Sequence, residues 1–138
     1  MGHLDDDAPE LVRLVRGADA AHQRAYARAV VRLALERNGL DDPRLAPALA
    51  ALDAGRSADP SVRPGVERFV AELDELAWDE QDRGAEEEYG VAFMRARAAG
   101  AAAAALDDDP ETAAYEATYE ANAALEDVPA LRAALEGV

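Results

Sequence analysis

The chain of 138 residues contains no cysteine, no lysine and only 5% aromatic residues. Without cysteine there can be no disulfide bond, thiolate metal site or cysteine nucleophile, which fits a reducing compartment. Arginine supplies all 14 of the strongly basic residues, against 29 Asp and Glu, and the formal net charge is −15. Nucleic acids and anionic membranes bind basic surfaces, so the sequence predicts neither as a partner.

Long apolar runs are also missing. The N-terminal stretch "MGHLDDDAPE" turns acidic at once, unlike the basic start and apolar run of a signal peptide. The alanine-rich stretch around 86–106 carries Arg95 and Arg97 near its middle, which makes it too short and too charged to span a membrane. We therefore expect a cytoplasmic protein, with residues 1–7 as a flexible acidic tail.

Strand signals are absent, because no window alternates apolar and polar residues and β-branched residues are few. Helix signals are frequent, with Asp before Pro at several helix starts and glycines at helix ends. The predicted helices cover about 8–16, 19–38, 43–54, 61–83, 86–106, 110–125 and 128–136. The sequence thus predicts an all-α fold: one domain over 1–138, built as a compact bundle of about five to seven helices, with stacked helical hairpins as one possible arrangement.

The stretch "EEEYGVAFMRARAAGAAAAALDDDP" predicts the most enclosed helix, at about 86–106. Its apolar and small residues occupy nearly all sides of the helix. A helix of this kind is surrounded by others, and small side chains let neighbouring backbones approach closely. We expect it to be the central helix of the bundle. The alanines of the helix at 110–125 could pack within the chain or pair two copies, so a homodimer stays open.

An acidic face is predicted on the preceding helix. Carboxylates recur there at helical spacing, at Glu72, Glu75, Asp79, Asp82 and Glu86, beside Trp78. Phe69, Leu73, Leu76 and Ala77 are expected to face the core. Such a face is either simply solvated, or it docks a basic protein with Trp78 as the anchor. Trp78 could equally cover the edge of the core.

Three further residues are candidates for a pocket: His22, Arg95 and Arg97. His22 continues an apolar stripe and is expected to be partly buried. The two arginines could form ion pairs with acids of the preceding helix, or could line a site for an anion.

Catalytic patterns are lacking. Ser57 and Ser61 lie beside helix starts, where serines act as caps, and no glycine-rich phosphate loop is present. The acidic triplets lack the spacing of an EF-hand, and no Glu-x-x-His pair exists for a di-iron site. The sequence therefore predicts no catalytic residue, no metal site and no cofactor.

Two segments carry a family resemblance: "HQRAYARAVVRLALERNGLDDPRLAPALAAL" and "EEEYGVAFMRARAAGAAAAALDDDPETAAYEATYEA". Over about 20–125 the chain resembles small helical bacterial proteins, among them a family known only as a domain of unknown function and helical immunity proteins of polymorphic toxin systems. The resemblance implies a helical bundle and no catalytic residues.

Two functions follow as hypotheses. The first is a non-catalytic acidic protein-binding module, with a toxin-neutralising immunity protein as one form, that docks a basic partner on the acidic 72–88 face. The alternative is a helical protein that binds a small molecule or metal, or an unrecognised enzyme, with its site between helices 19–38, 61–83 and 86–106.

Overall fold

The computed structural model describes residues 4–55 and 59–138, and every regular element in these ranges is helical. The helices are α1 Leu4–Asp7, α2 Pro9–Gly17, α3 Ala20–Arg37, a 3₁₀ turn Pro43–Leu45, α4 Ala46–Ala54, α5 Val62–Asp82, α6 Glu86–Ala104, α7 Pro110–Leu125 and α8 Val128–Glu136. The all-α prediction is confirmed. The described ranges hold eight α-helices rather than five to seven, and the unforeseen one is α1.

Residues 1–7 were predicted to form a flexible tail, but residues 4–7 form helix α1 instead. Leu4 is buried in the core, and the Tyr115 hydroxyl of α7 donates a hydrogen bond to Asp5 Oδ1 at 2.7 Å. The Asp5 carboxylate stabilises the protonated phenol and raises the pKa of Tyr115 to about 12. Residues 4–7 are thus docked against α7; residues 1–3 lie outside the described part.

Aspartate caps begin α3, α7, α8 and the 3₁₀ turn, and those at Asp42, Asp109 and Asp127 follow the predicted Asp-Pro pattern. At the other two predicted positions, near Asp7 and Asp59, the N-cap residues are Ala8 and Ser61 instead. The Asp19, Asp42, Asp109 and Asp127 side chains each accept a backbone N–H from the first turn of the next helix. Hydrogen bonds to the charged carboxylate hold the pKa of Asp109 below its ordinary value, first through the Thr112 hydroxyl and then through its N–H, and the His22 N–H does the same for the pKa of Asp19. The sequence therefore places helix boundaries through local chemistry alone.

Four long helices, α3, α5, α6 and α7, form the body of the bundle. Short connections make α6 antiparallel to α5 and to α7, and α6 also packs against α3. The helices α3 and α7 run parallel. Arg24, early in α3, donates to the Asp107 and Asp108 carbonyls just before α7, at 2.7 and 2.6 Å. At the other end, Asn38 donates to the Ala124 carbonyl at 3.3 Å.

The core is built around the second half of α6. From Ala96 to Leu106 every residue except Arg97 is buried. The predicted alanine stripe of α7 packs against this same core rather than lying free for a second copy: Ala114, Ala117, Ala121 and Ala124. No residue from 86 to 95 is buried. The prediction of a central helix over 86–106 is therefore correct for its second half and wrong for its first.

Candidate functional site

The first half of α6 and the second half of α5 form a surface that we call the acidic hairpin, residues 72–95. Gly84, at φ +74°, makes the turn between the two helices, a conformation that favours glycine. Leu73 and Ala77 are the only buried residues of the hairpin. It carries nine carboxylates and two guanidinium groups, a net charge of −7. Nearly half of the net charge of the chain is thus concentrated on one mostly exposed hairpin.

Large apolar side chains are exposed on the same hairpin. The exposed fractions are 57% for Leu76, 59% for Trp78, 59% for Val91 and 37% for Phe93. Within the described part of the chain, Val138 is the one other large apolar residue with comparable exposure. The expectation that Leu76 faces the core is wrong. In the described ranges α5 packs mainly on α6, with smaller contacts to α4 and the 3₁₀ turn, and these neighbours leave Leu76 exposed.

The residues predicted to bind a partner lie at the surface of this hairpin. Glu72, Glu75, Trp78, Asp79, Asp82 and Glu86 are all exposed. Glu72 accepts a hydrogen bond from Arg44, whose guanidinium also lies 4.0 Å from the centre of the Phe69 ring. Within the described ranges, the other four acids make no ion pair. Their charges are therefore directed at solvent.

A groove of about 660 Å³ runs between α5 and α6 on one side of the hairpin. It is lined by apolar residues along its length and by charged residues at its ends: Leu73, Leu76, Glu80, Glu87, Glu88, Val91, Ala92 and Arg95. Trp78 lies outside it. Sequence reasoning missed this groove, although its lining residues follow helical spacing on both helices. The spacing shows that residues share a face, but not whether another helix covers that face.

The three predicted pocket residues are not brought together. Arg95 lies in the groove, whereas Arg97 lines a separate cavity between α5, α6 and α7, and His22 lines neither. His22 is exposed at the start of α3, and its Nδ1 lies 2.8 Å from Asp19 Oδ1. The expectation of a partly buried His22 is wrong, because Gln23 takes the inward position and donates to the Val15 carbonyl at 3.0 Å.

Arg97 has a structural role as the centre of an ion-pair cluster. Its Nη2 donates to both Asp74 carboxylate oxygens at 2.9 and 3.1 Å, and its Nη1 donates to Glu120 at 3.0 Å. The ion pair with α5 was predicted, although Asp74 is not one of the five carboxylates that were named for the acidic face. Burial raises the pKa of the Glu120 carboxyl, and Arg97 opposes this shift. Gly100 leaves room for Glu120, since a Cβ at this position would lie 3.2 Å from Oε2.

In residues 4–55 and 59–138 no group of three or more acidic or histidine side chains could hold a metal ion. No helix in that part of the chain is both long and apolar enough to cross a membrane. The Ser61 hydroxyl donates to Asp59 at 2.7 Å, which fits its predicted place at a helix start, and Ser57 lies outside the described residues.

No protein-family model, curated protein or solved structure matches the chain. The resemblance to immunity proteins therefore stays a prediction. A helical bundle by itself implies no particular function, since one fold hosts many. The function must be argued from the acidic hairpin.

Proposed function

We propose that this protein is a non-catalytic protein-binding module that docks a basic protein on the acidic hairpin. One observation carries the proposal: the hairpin that bears nine carboxylates and a net charge of −7 also exposes Leu76, Trp78, Val91 and Phe93. Surface charge alone would serve solubility. Clustered apolar side chains do not serve solubility, and such clusters are typical of interaction sites.

Trp78 supplies the strongest anchor in this arrangement. Tryptophan is enriched among the residues that dominate binding energy, because it buries a large apolar area and loses few side-chain rotamers. On the helix Trp78 lies one turn from Asp82 and close to Glu75. Carboxylates around an aromatic anchor attract a basic surface over distance and speed its association. Glu75, Asp79, Asp82 and Glu86 make no ion pair with the residues that the structure describes, and they are exposed and available for that role.

A toxin-neutralising immunity protein is the specific form of this proposal. The resemblance of the two quoted segments supports it, and so does the combination of acidic charge with an apolar anchor. An immunity protein must hold one partner stoichiometrically. The partner would then be a single basic protein whose activity stops on binding.

The experiment starts with affinity capture from native lysate at physiological salt, and continues with the retained basic protein in purified form. We expect the variant Glu75→Gln/Asp79→Asn/Asp82→Asn/Glu86→Gln to associate with it at least tenfold more slowly and with a weaker salt dependence. Trp78→Ala should mainly accelerate dissociation. Surface plasmon resonance at several salt concentrations measures the association and dissociation rates of both variants.

A matched variant controls for net charge. Asp6→Asn/Glu36→Gln/Asp41→Asn/Glu136→Gln also removes four exposed acids that make no ion pair within the described ranges, but all four lie outside the hairpin. We expect this control to keep most of the association rate. Equal losses in the two variants would mean that total charge, not the hairpin, attracts the partner, and the proposal would be wrong.

A further inference from the structure

The groove between α5 and α6 has an apolar floor and charged ends of opposite sign. Leu76, Val91 and Ala92 form the middle. Because α5 and α6 are antiparallel and turn at Gly84, Glu80, Glu87 and Glu88 lie at the end nearest the turn. Arg95 lies at the opposite end beside Leu73.

Arg95 differs from Arg97 in having no acidic partner among the residues that the structure describes. Arg97, two residues further along α6, is held between Asp74 and Glu120. Arg95 makes no ion pair with any residue in the described ranges. At the end nearest the turn, Glu80 is paired with Arg83, whereas Glu87 and Glu88 make no ion pair within the described ranges. A ligand in the groove would therefore meet two unpaired carboxylates and the Glu80–Arg83 pair at one end and one guanidinium at the other.

The dimensions suit a short helix. Leu73 and Glu80 are seven residues apart on α5, which is about 10 Å along the helix axis and spans about two helical turns. An amphipathic helix binds a hydrophobic groove with its apolar face. A helix also carries partial positive charge at its N-terminus and partial negative charge at its C-terminus. The two ends of the groove complement that dipole in one direction only.

We propose that the groove binds an amphipathic α-helix of the partner protein, with basic residues in its first turns. Its N-terminus lies against Glu80, Glu87 and Glu88, and its C-terminal carbonyls face Arg95. The inference rests on the proposed function, and adds to it the secondary structure, the direction and the charge pattern of the docked segment. A second copy of this chain fits less well, since it would bring two hairpins of net charge −7 together.

The first test measures the affinity of a model peptide for the full chain by fluorescence anisotropy. The probe is a helical peptide of about 12 residues, roughly 18 Å long, with leucines on one face and lysines in its first two turns. Its termini are blocked and an i, i+4 side-chain bridge holds the helix. We expect Leu76→Ser/Val91→Ser to weaken binding at least tenfold. Val138→Ser, at another exposed apolar residue, should leave binding unchanged.

The second test determines direction by photo-cross-linking and mass spectrometry. A benzophenone at the peptide N-terminus should label residues near the Gly84 turn, and one at the C-terminus should label residues near Leu73 and Arg95. A peptide of the same composition with its lysines in the last two turns should bind about threefold to tenfold more weakly. Arg95→Gln should bring the two affinities closer together.

Each other outcome overturns the inference. If the peptide binds but Leu76→Ser/Val91→Ser has no effect, the groove is not the site, although an acidic docking surface can stand. Reversed or mixed cross-links contradict the direction. If the chain dimerises in sedimentation equilibrium and the groove variant abolishes this, the occupant is a second copy. A different result would contradict the proposed function itself. That result is an unchanged affinity for the captured protein after neutralisation of Glu75, Asp79, Asp82 and Glu86.

Discussion

The two halves of α6 differ in burial and in the size of their side chains. Residues 96–104 are buried apart from Arg97, and they are mainly alanine. Residues 86–95 include Val91, Phe93 and Met94, and none of them is buried. The larger apolar side chains thus lie on the open half and the smallest on the enclosed half.

This inversion has a simple physical cause. Alanine and glycine let α3, α5 and α7 approach the second half of α6 closely, so that half is covered on every side. The first half has the groove on one side and lacks such cover. Burial along this helix therefore depends on which neighbouring helices are present, and not on residue size or hydropathy. The open half forms part of the proposed docking surface.

The largest expected effect compares the two phenylalanines of the chain. Phe69 is buried against the core, and Phe93 is exposed on the acidic hairpin. Phe69→Ala should lower the free energy of unfolding by about 3–5 kcal/mol, because it leaves a cavity. Phe93→Ala should lower it by less than about 1 kcal/mol. Urea denaturation followed by circular dichroism measures both, and similar losses would contradict the division of the molecule into a packed body and an open hairpin.

A substitution by a larger side chain in each half of α6 compares their packing directly. Ala99→Leu should destabilise the protein by about 1–3 kcal/mol, since Ala99 is fully enclosed and the extra atoms overpack the core. Ala92→Leu should change stability by no more than about 0.5 kcal/mol, because the groove accommodates the side chain. The same Ala92 variant should weaken binding of the model peptide. A stable Ala99→Leu protein would show that the second half is less tightly packed than described.

The two arginines of α6 allow a test with a pH signature. Arg97→Gln should cost about 1–3 kcal/mol, because it leaves the Asp74 and Glu120 carboxylates without their shared donor. Arg95→Gln is the matched control and should be nearly neutral. Because the Glu120 pKa is raised above its ordinary value of 4.5, the folded state binds this proton more readily than the unfolded state. Its contribution to stability therefore falls as the pH rises through the raised pKa.

Removing Arg97 should raise the Glu120 pKa further. The difference in unfolding free energy between wild type and Arg97→Gln should then grow between about pH 4 and pH 7. Denaturation curves across this range measure it. A difference that is constant with pH would mean that Arg97 acts through packing rather than through its charge.

The smallest expected effect concerns glycine on the hairpin. Gly90 lies inside α6, and a Cβ there would meet nothing within 4 Å. Gly90→Ala should stabilise the protein by about 0.5–1 kcal/mol, because alanine restricts the unfolded chain and favours the helix. Gly84→Ala should do the opposite, since Gly84 has φ +74° at the turn. Thermal melts of the two variants should therefore shift in opposite directions.

Much of the fold could be predicted because its signals are local. Asp19, Asp42, Asp109 and Asp127 cap helices that begin within a few residues of the predicted starts. Gly39, Gly55 and Gly84 adopt positive φ where helices were predicted to end. Helix α1 was missed because its support comes from Tyr115, more than a hundred residues away. A long-range contact of this kind leaves no local pattern.

The candidate site likewise has features that could be predicted from the sequence and features that could not. The acidic face and Trp78 could be recognised from composition and spacing, and the structure places them all at the surface. The exposure of Leu76 could not be recognised in this way, because its spacing fits the core stripe of α5. An ion pair of Arg97 with α5 could be predicted, but its particular partners, Asp74 and Glu120, could not, since many carboxylates lay within plausible reach. Choosing among them requires the register between helices.

The sequence by itself determined the helices, their caps and the concentration of acidic charge, because each depends on residues a few positions apart. Only the tertiary structure decided which helix faces are covered, that His22, Arg95 and Arg97 lie apart, and that a groove with charged ends opens between α5 and α6. These depend on how helices distant in sequence come together. Packing of that kind is set by the whole chain, since each face is buried or open according to its neighbours.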